Sequence, residues 1–145
     1  MNNLYEQDYY LWSQKMATLL RAENWHELDI ENIAEEIESL GRADKNALKS
    51  NLRIILMHLL KWQYQPEKQT RSWQLTLLEH RQRVKDTLAD SPSLRGFLEE
   101  NLEICYSAAS KMAAVETGLA ISDFPKECPY TPEQILDEGY FPNGE

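Results

Sequence analysis

The sequence predicts an all-α protein, an antiparallel bundle of about five main helices followed by a short C-terminal helix. Apolar residues recur at the three- and four-residue spacing of amphipathic helices along most of the chain. No segment alternates apolar and polar residues as a half-buried strand would. The chain has 145 residues, the size of one domain, so we expect a single helical domain over residues 1–145.

The first predicted helix covers about residues 5–22, because five apolar and aromatic residues form one helical stripe. They are Tyr5, Tyr9, Trp12, Met16 and Leu19. Residues 23–28 interrupt the pattern, and Asp29 then offers a carboxylate that can cap the next helix. We therefore expect a second helix to begin after Asp29.

The second predicted helix ends near Gly41, which can stop or kink a helix. Its apolar stripe is expected to face the core and consists of Ile30, Ile33, Ala34, Ile37 and Leu40.

The third predicted helix covers about residues 43–64 and ends before Pro66, because the residue before proline disfavours the α conformation. Around residues 54–62 apolar side chains fall on nearly every face, which is typical of the central helix of a bundle.

Three further helices follow from capping and periodicity. A fourth covers about residues 70–89, and a fifth begins with Ser91 as cap and Pro92 in the first turn. The fifth helix is expected to end at Thr117, because Gly118 can adopt the left-handed conformation that closes a helix. A capping box of Thr131 and Gln134 predicts a last short helix over about residues 132–138.

Charge is unevenly distributed along the chain. The net charge is −9, from 15 Lys and Arg against 24 Asp and Glu. Residues 42–85 hold 10 basic and 3 acidic residues, whereas residues 1–41 hold 2 and 9 and residues 86–145 hold 3 and 12. The acidic flanks can therefore neutralise the basic middle, or the middle can face an anionic partner.

Several features bound the class of protein. No apolar run has the length of a membrane span, and the N-terminus lacks the pattern of a secretory signal, so we expect a cytoplasmic protein without membrane association. Cys105 and Cys128 lack metal-ligand spacing, and no nucleophile or phosphate-binding motif is present. We therefore assign no catalytic residue, no metal and no cofactor.

One candidate polar pocket would lie between the predicted helices. Glu36 and Glu38 flank the apolar stripe of the second helix, and His58 and Lys61 border the narrow polar arc of the third. Arg81 lies beside the apolar stripe of the fourth helix and, if buried, should meet a carboxylate of the second helix. These five residues could form a functional pocket or serve as structural ion pairs and core hydrogen bonds.

A basic ridge is the second candidate site. Arg42, Lys45, Lys49 and Arg53 follow one another at three- and four-residue spacing, so they would share one helix face that could contact phosphates. The sequence pI of about 4.9 and the acidic flanks argue against nucleic-acid binding.

Seven stretches of the chain form a combined pattern. They are Tyr9 with Trp12, Trp25 with Leu28 and Asp29, residues 33–41, residues 58–66, Ser72 and Trp73 with Arg81, residues 91–94, and Pro125 with residues 128–130. Together they resemble the bacterial family called domain of unknown function 29, which is abundant in cyanobacteria. The resemblance implies a small, mainly helical protein and implies no activity.

Three hypotheses of function follow. The leading one is a non-enzymatic protein-interaction module whose acidic flanks suit a basic partner protein, as in an antitoxin that neutralises a nucleic-acid-acting toxin. The alternatives are a nucleic-acid-binding protein that uses residues 42–85, and a small enzyme that uses the polar pocket. The oligomeric state is left open, and a two-fold dimer is one candidate because many small proteins form such pairs.

Overall fold

The computed structural model describes residues 3–143, and within that range it contains six α-helices and no β-strand. This confirms the predicted all-α helical bundle. The helices are α1 (Leu4–Gln7), α2 (Tyr9–Arg21), α3 (Ile30–Tyr64), α4 (Arg71–Asp90), α5 (Leu94–Thr117) and α6 (Pro132–Leu136). Three 3₁₀ turns connect them, at Trp25–Glu27, Pro66–Lys68 and Ile121–Asp123. None of the described helices combines the length and apolarity needed to cross a bilayer.

The chain divides into two compact units, residues 1–43 and residues 44–145, and α3 contributes residues to both. Each unit has its own hydrophobic core. The single helical domain expected over residues 1–145 stays a prediction.

The first unit has a small core formed by α2 with the residues that pack on it. Trp12, Met16 and Leu19 are buried, and Leu28 and Ile33 pack against them. The predicted first helix is split in two, because Asp8 has a non-helical backbone (φ −152°, ψ 85°) and its carboxylate accepts the Leu11 N–H at 3.0 Å. Asp8 therefore ends α1 and caps α2.

The second unit has the larger core, which the later part of α3 forms with α4, α5 and the C-terminal segment. The fully buried residues of α3 begin at Leu48, as expected of the central helix. α5 ends at Gly118, whose φ of +76° is the left-handed conformation predicted there. The capping box of Thr131 and Gln134 is also present at the start of α6.

Gly41 does not end a helix, so the predicted second and third helices are one 35-residue helix, α3. A glycine inside a helix costs about 1 kcal/mol relative to alanine, which the favourable helix formers around it offset.

The start of α5 also differs from expectation. It begins at Leu94 rather than at Ser91, because Ser91 closes α4 and the carbonyl groups of Ser91 and Pro92 accept hydrogen bonds in an intervening turn.

Candidate interaction surface

An apolar face of α3 in the first unit is exposed to solvent. The exposed fractions are 64 % for Ile30, 64 % for Ile37 and 68 % for Leu40, and Ala34 is exposed as well. Ile33 alone of the predicted stripe packs in the core of the unit. The expectation that this stripe is buried is therefore wrong for most of its residues. We call Ile30, Ala34, Ile37 and Leu40 the exposed α3 face.

Carboxylates border the exposed α3 face. Glu31 and Glu38 lie along one edge on the helical wheel, and Glu31 has no ion pair within residues 3–143. Arg42 pairs with Glu35 at 2.7 Å and with Glu38 at 3.8 Å, and all three side chains are more than half exposed. Ion pairs this exposed contribute only about 0–1 kcal/mol, so a partner could replace them at small cost.

Glu36 lies at the other edge, where two tyrosines hold its carboxylate. The Tyr5 hydroxyl donates to Oε1 at 2.5 Å and the Tyr9 hydroxyl donates to Oε2 at 2.8 Å. Both hydrogen bonds lower the pKa of the Glu36 carboxyl group. The bond between Tyr5 and Glu36 also raises the pKa of the Tyr5 hydroxyl to about 12. Glu36 is therefore a fixed, ionised group that is poorly suited to exchange protons near neutral pH.

His58 and Lys61 lie together in the second unit, beside Trp73. The Lys61 ammonium is 4.6 Å from the centre of the Trp73 ring, and the His58 ring meets Trp73 edge-on at 6.4 Å. His58 Nδ1 lies 3.1 Å from the Ile54 carbonyl, which places the proton on Nδ1. Burial lowers the pKa of the His58 imidazole, and the positive charge of Lys61 lowers it further.

Arg81 is fully buried, and its acceptors are backbone carbonyls rather than the carboxylate we expected. Nε donates to the Ile135 carbonyl at 2.8 Å, and Nη2 donates to the Gln134 carbonyl at 3.2 Å. The guanidinium also lies 5.7 Å from the Phe141 ring. Arg81 thus connects α4 to the C-terminal segment. The single pocket of Glu36, Glu38, His58, Lys61 and Arg81 stays a prediction.

The residues of the basic ridge have several different partners. Arg42 is ion-paired as described, Lys45 lies 5.1 Å above the Phe97 ring, and Arg53 donates to the Ser50 hydroxyl at 3.2 Å. Lys49 is half-buried. Cation–π contacts and hydrogen bonds of this kind leave a side chain able to reach a phosphate, so nucleic-acid binding by this ridge stays a prediction.

The first unit also contains a cleft of about 690 Å³ that the sequence did not suggest. Trp12 and Asp29 line it, and the Trp12 indole N–H donates to the Asp29 carboxylate at 3.2 Å. Asn32 supplies a side-chain and a backbone hydrogen bond to the same carboxylate, and these bonds lower its pKa. Asp29 is therefore satisfied as the cap of α3. The only sequence signal of the cleft was the interruption before Asp29.

The C-terminal flank contacts the basic middle of the chain through one ion pair among the described residues, Lys85 with Glu138 at 3.5 Å. Arg95 pairs with Glu133 at 3.2 Å within the flank itself. Within residues 3–43, in contrast, the only ion pairs are those of Arg42. Seven of the nine carboxylates in this range therefore make no ion pair. No three His, Cys, Asp or Glu side chains in the described part of the chain are placed to share a metal ion.

The fold and this surface define a small all-α helical bundle protein that exposes an apolar, acid-bordered helix face. The chain belongs to the family described as domain of unknown function DUF29, whose sequence model matches residues 4–141. This confirms the resemblance found in the sequence. No curated protein and no solved structure matches the chain.

Proposed function

We propose that this protein is a non-enzymatic interaction module that holds a basic amphipathic helix of a partner protein on the exposed α3 face. The observation that carries the proposal is the exposure of Ile30, Ile37 and Leu40, each above 60 %, on one helix. Scattered apolar residues are normal on a protein surface, but a contiguous apolar face marks an interaction site.

The spacing of the apolar residues suits a helical partner. Ile37 lies two turns after Ile30 and Leu40 lies one turn after Ile37, along one side of α3. Ala34 lies between Ile30 and Ile37, and its small side chain leaves room for a partner's side chain. Amphipathic helices bind through anchors at this spacing. Burying one isoleucine or leucine contributes about 1.5–3 kcal/mol, so three such residues can support a specific complex.

The negative charge around the exposed α3 face favours a basic partner. Residues 1–41 hold 9 acidic and 2 basic residues, and Glu31 and Glu38 border the apolar face itself. Such a surface attracts a positively charged protein and repels an acidic one, which affects association rate and specificity more than affinity. A protein that acts on nucleic acid presents a basic surface, and neutralising one would be an antitoxin-like role.

The polar residues that an enzyme would need have structural partners. Glu36 is held ionised by two tyrosines, Arg81 binds two backbone carbonyls, and His58 is hydrogen-bonded to its own helix. These contacts favour the interaction module over the small enzyme.

Affinity capture from the native host tests the proposal. We expect the tagged chain to retain one basic protein in near-equal amount, and Ile37→Glu to abolish this retention because it places a charge in the apolar face. The matched control is Val115→Glu, which introduces the same charge at an exposed site on α5. Circular dichroism checks the fold of both variants. The proposal is wrong if no stoichiometric partner is retained, or if Ile37→Glu retains it as well as Val115→Glu does.

A further inference from the structure

We infer that α4 of a second copy of this chain can occupy the exposed α3 face, so that two copies pair. The inference rests on the proposed function, because it uses the same face and names one helix that fits it.

α4 has an exposed face with the required chemistry. The exposed fractions of Leu75 and Leu78 are 63 % and 45 %, and Arg71 lies one turn before Leu75 on the same side of the helix. Lys68 precedes this face in the 3₁₀ turn Pro66–Lys68. Neither Arg71 nor Lys68 has an ion pair within residues 3–143. We call Lys68, Arg71, Leu75 and Leu78 the exposed α4 face.

The two faces complement each other in polarity and charge. The exposed α3 face presents isoleucine and leucine beside carboxylates, and the exposed α4 face presents leucine beside unpaired cations. Packing one on the other removes apolar surface from water and brings Glu31 close to a cation that lacks a partner. Glu31 on the exposed α3 face could thus pair with Lys68 or Arg71 on the exposed α4 face.

Pairing of two α3 faces fits the charges less well. Two copies that joined through α3 alone would bring the carboxylates at positions 31, 35 and 38 of both chains together. Like charges in contact oppose association, and only Arg42 is near to compensate them. The charge pattern therefore favours α4 as the occupant.

A two-fold pair would make this contact twice, because the α3 face of each copy would then receive α4 of the other. Stable pairs generally bury about 1,200–2,000 Å² in total, so a contact made twice is favoured over a contact made once. A basic partner protein would compete with the second copy for the α3 face.

Sedimentation equilibrium of the full chain at low salt tests the pairing. We expect a concentration-dependent monomer–dimer equilibrium that weakens as salt rises, because the bordering charges are screened. Ile37→Glu and Leu78→Glu should each raise the dissociation constant at least about tenfold, since each disables one face in both contacts of a pair. Val115→Glu should leave the dissociation constant unchanged.

A mixture of the two variants gives the decisive result. An equal mixture of Ile37→Glu and Leu78→Glu chains contains one intact α3 face and one intact α4 face per pair, so the mixture should associate more tightly than either variant alone. The pairing is overturned by a monomer at every concentration, by normal association of Leu78→Glu, or by a mixture that does not recover. A monomeric chain that still captures a basic partner through Ile37 overturns the pairing alone and leaves the proposed function standing.

Discussion

Arg81 is the most unusual single residue of the chain, because a positive charge is fully buried without an ion pair among the described residues. Two of its nitrogens bind backbone carbonyls, while Nη1 has no hydrogen-bond partner there. Burying a charge without a carboxylate is costly, so the two carbonyls and the Phe141 ring must offset much of that cost.

Replacing Arg81 should destabilise the protein strongly. Arg81→Ala leaves a cavity and removes the donors from the carbonyls of Ile135 and Gln134, so we expect the free energy of unfolding to fall by about 3 kcal/mol or more. Arg81→Met keeps most of the volume and should lose less. Urea denaturation measures both. The control is Arg83→Ala, which removes only the exposed pair with Glu79 and should change stability by less than about 0.5 kcal/mol. Equal effects at the two positions would contradict this account.

His58 should make stability depend on pH. Burial lowers its pKa in the folded protein, so the unfolded chain takes up the proton first and stability falls as the pH drops below the ordinary value of 6.5. His80 shifts in the same direction, for the same main reason. The pKa values of Asp29 and Glu36 are lowered, so these groups remain ionised in this range.

Urea midpoints at pH 7.5 and 5.5 measure the effect. We expect the wild type to lose stability between these values, and His58→Gln, which keeps an amide donor, to lose less. The same loss in both proteins would show that His58 does not carry the effect.

At the scale of elements, Gly41 is where the continuity of α3 can be tested. A Cβ added there would meet no atom within 4 Å beyond the adjacent residues and the backbone of its own helical turns, and the residue lies inside the helix. Gly41→Ala should therefore stabilise the protein by about 0.5–1 kcal/mol. Gly118→Ala should have the opposite effect, a loss of about 1 kcal/mol, because Gly118 has a φ of +76°. Thermal or urea unfolding checks both, and destabilisation by Gly41→Ala would argue for a break at that position.

The helices that periodicity predicted well were those with unambiguous ends. α4 and α6 have side-chain caps at Thr70 and Thr131, and Gly118 closes α5. The errors at Asp8 and Gly41 share a cause. Either residue can end a helix or lie inside one, and the apolar stripe continues past both. Local propensities of about 1 kcal/mol do not decide such cases, which depend on contacts made elsewhere.

At the scale of the whole molecule, the two units should differ in local stability. The first has three buried core residues, whereas the core of the second is several times larger. Amides of α2 should therefore exchange with deuterium faster than those of residues 55–60 of α3. Hydrogen exchange of the full chain, followed by mass spectrometry, measures this. Equal protection in both segments would indicate that the chain opens only as a whole.

The sequence could reveal the amphipathic character of residues 30–40 but could not reveal what covers them. A helical pattern of Ile30, Ile33, Ile37 and Leu40 is the same whether the apolar side meets its own chain or another molecule. The same limit applies to Arg81, whose carbonyl acceptors lie more than 50 residues away in the chain. Every residue has a backbone carbonyl, so the pattern of side chains cannot indicate which carbonyls accept a hydrogen bond.

The covered thiols make this protein convenient for site-specific labelling. Burial raises the pKa of Cys105 and raises that of Cys128 to about 11, so both are protonated at neutral pH and react slowly. A cysteine introduced at exposed Ile37 or Leu78 would react first with a maleimide reagent, because its thiolate is accessible. Fluorophores or spin labels could thus be attached to either helix face without removing the native cysteines.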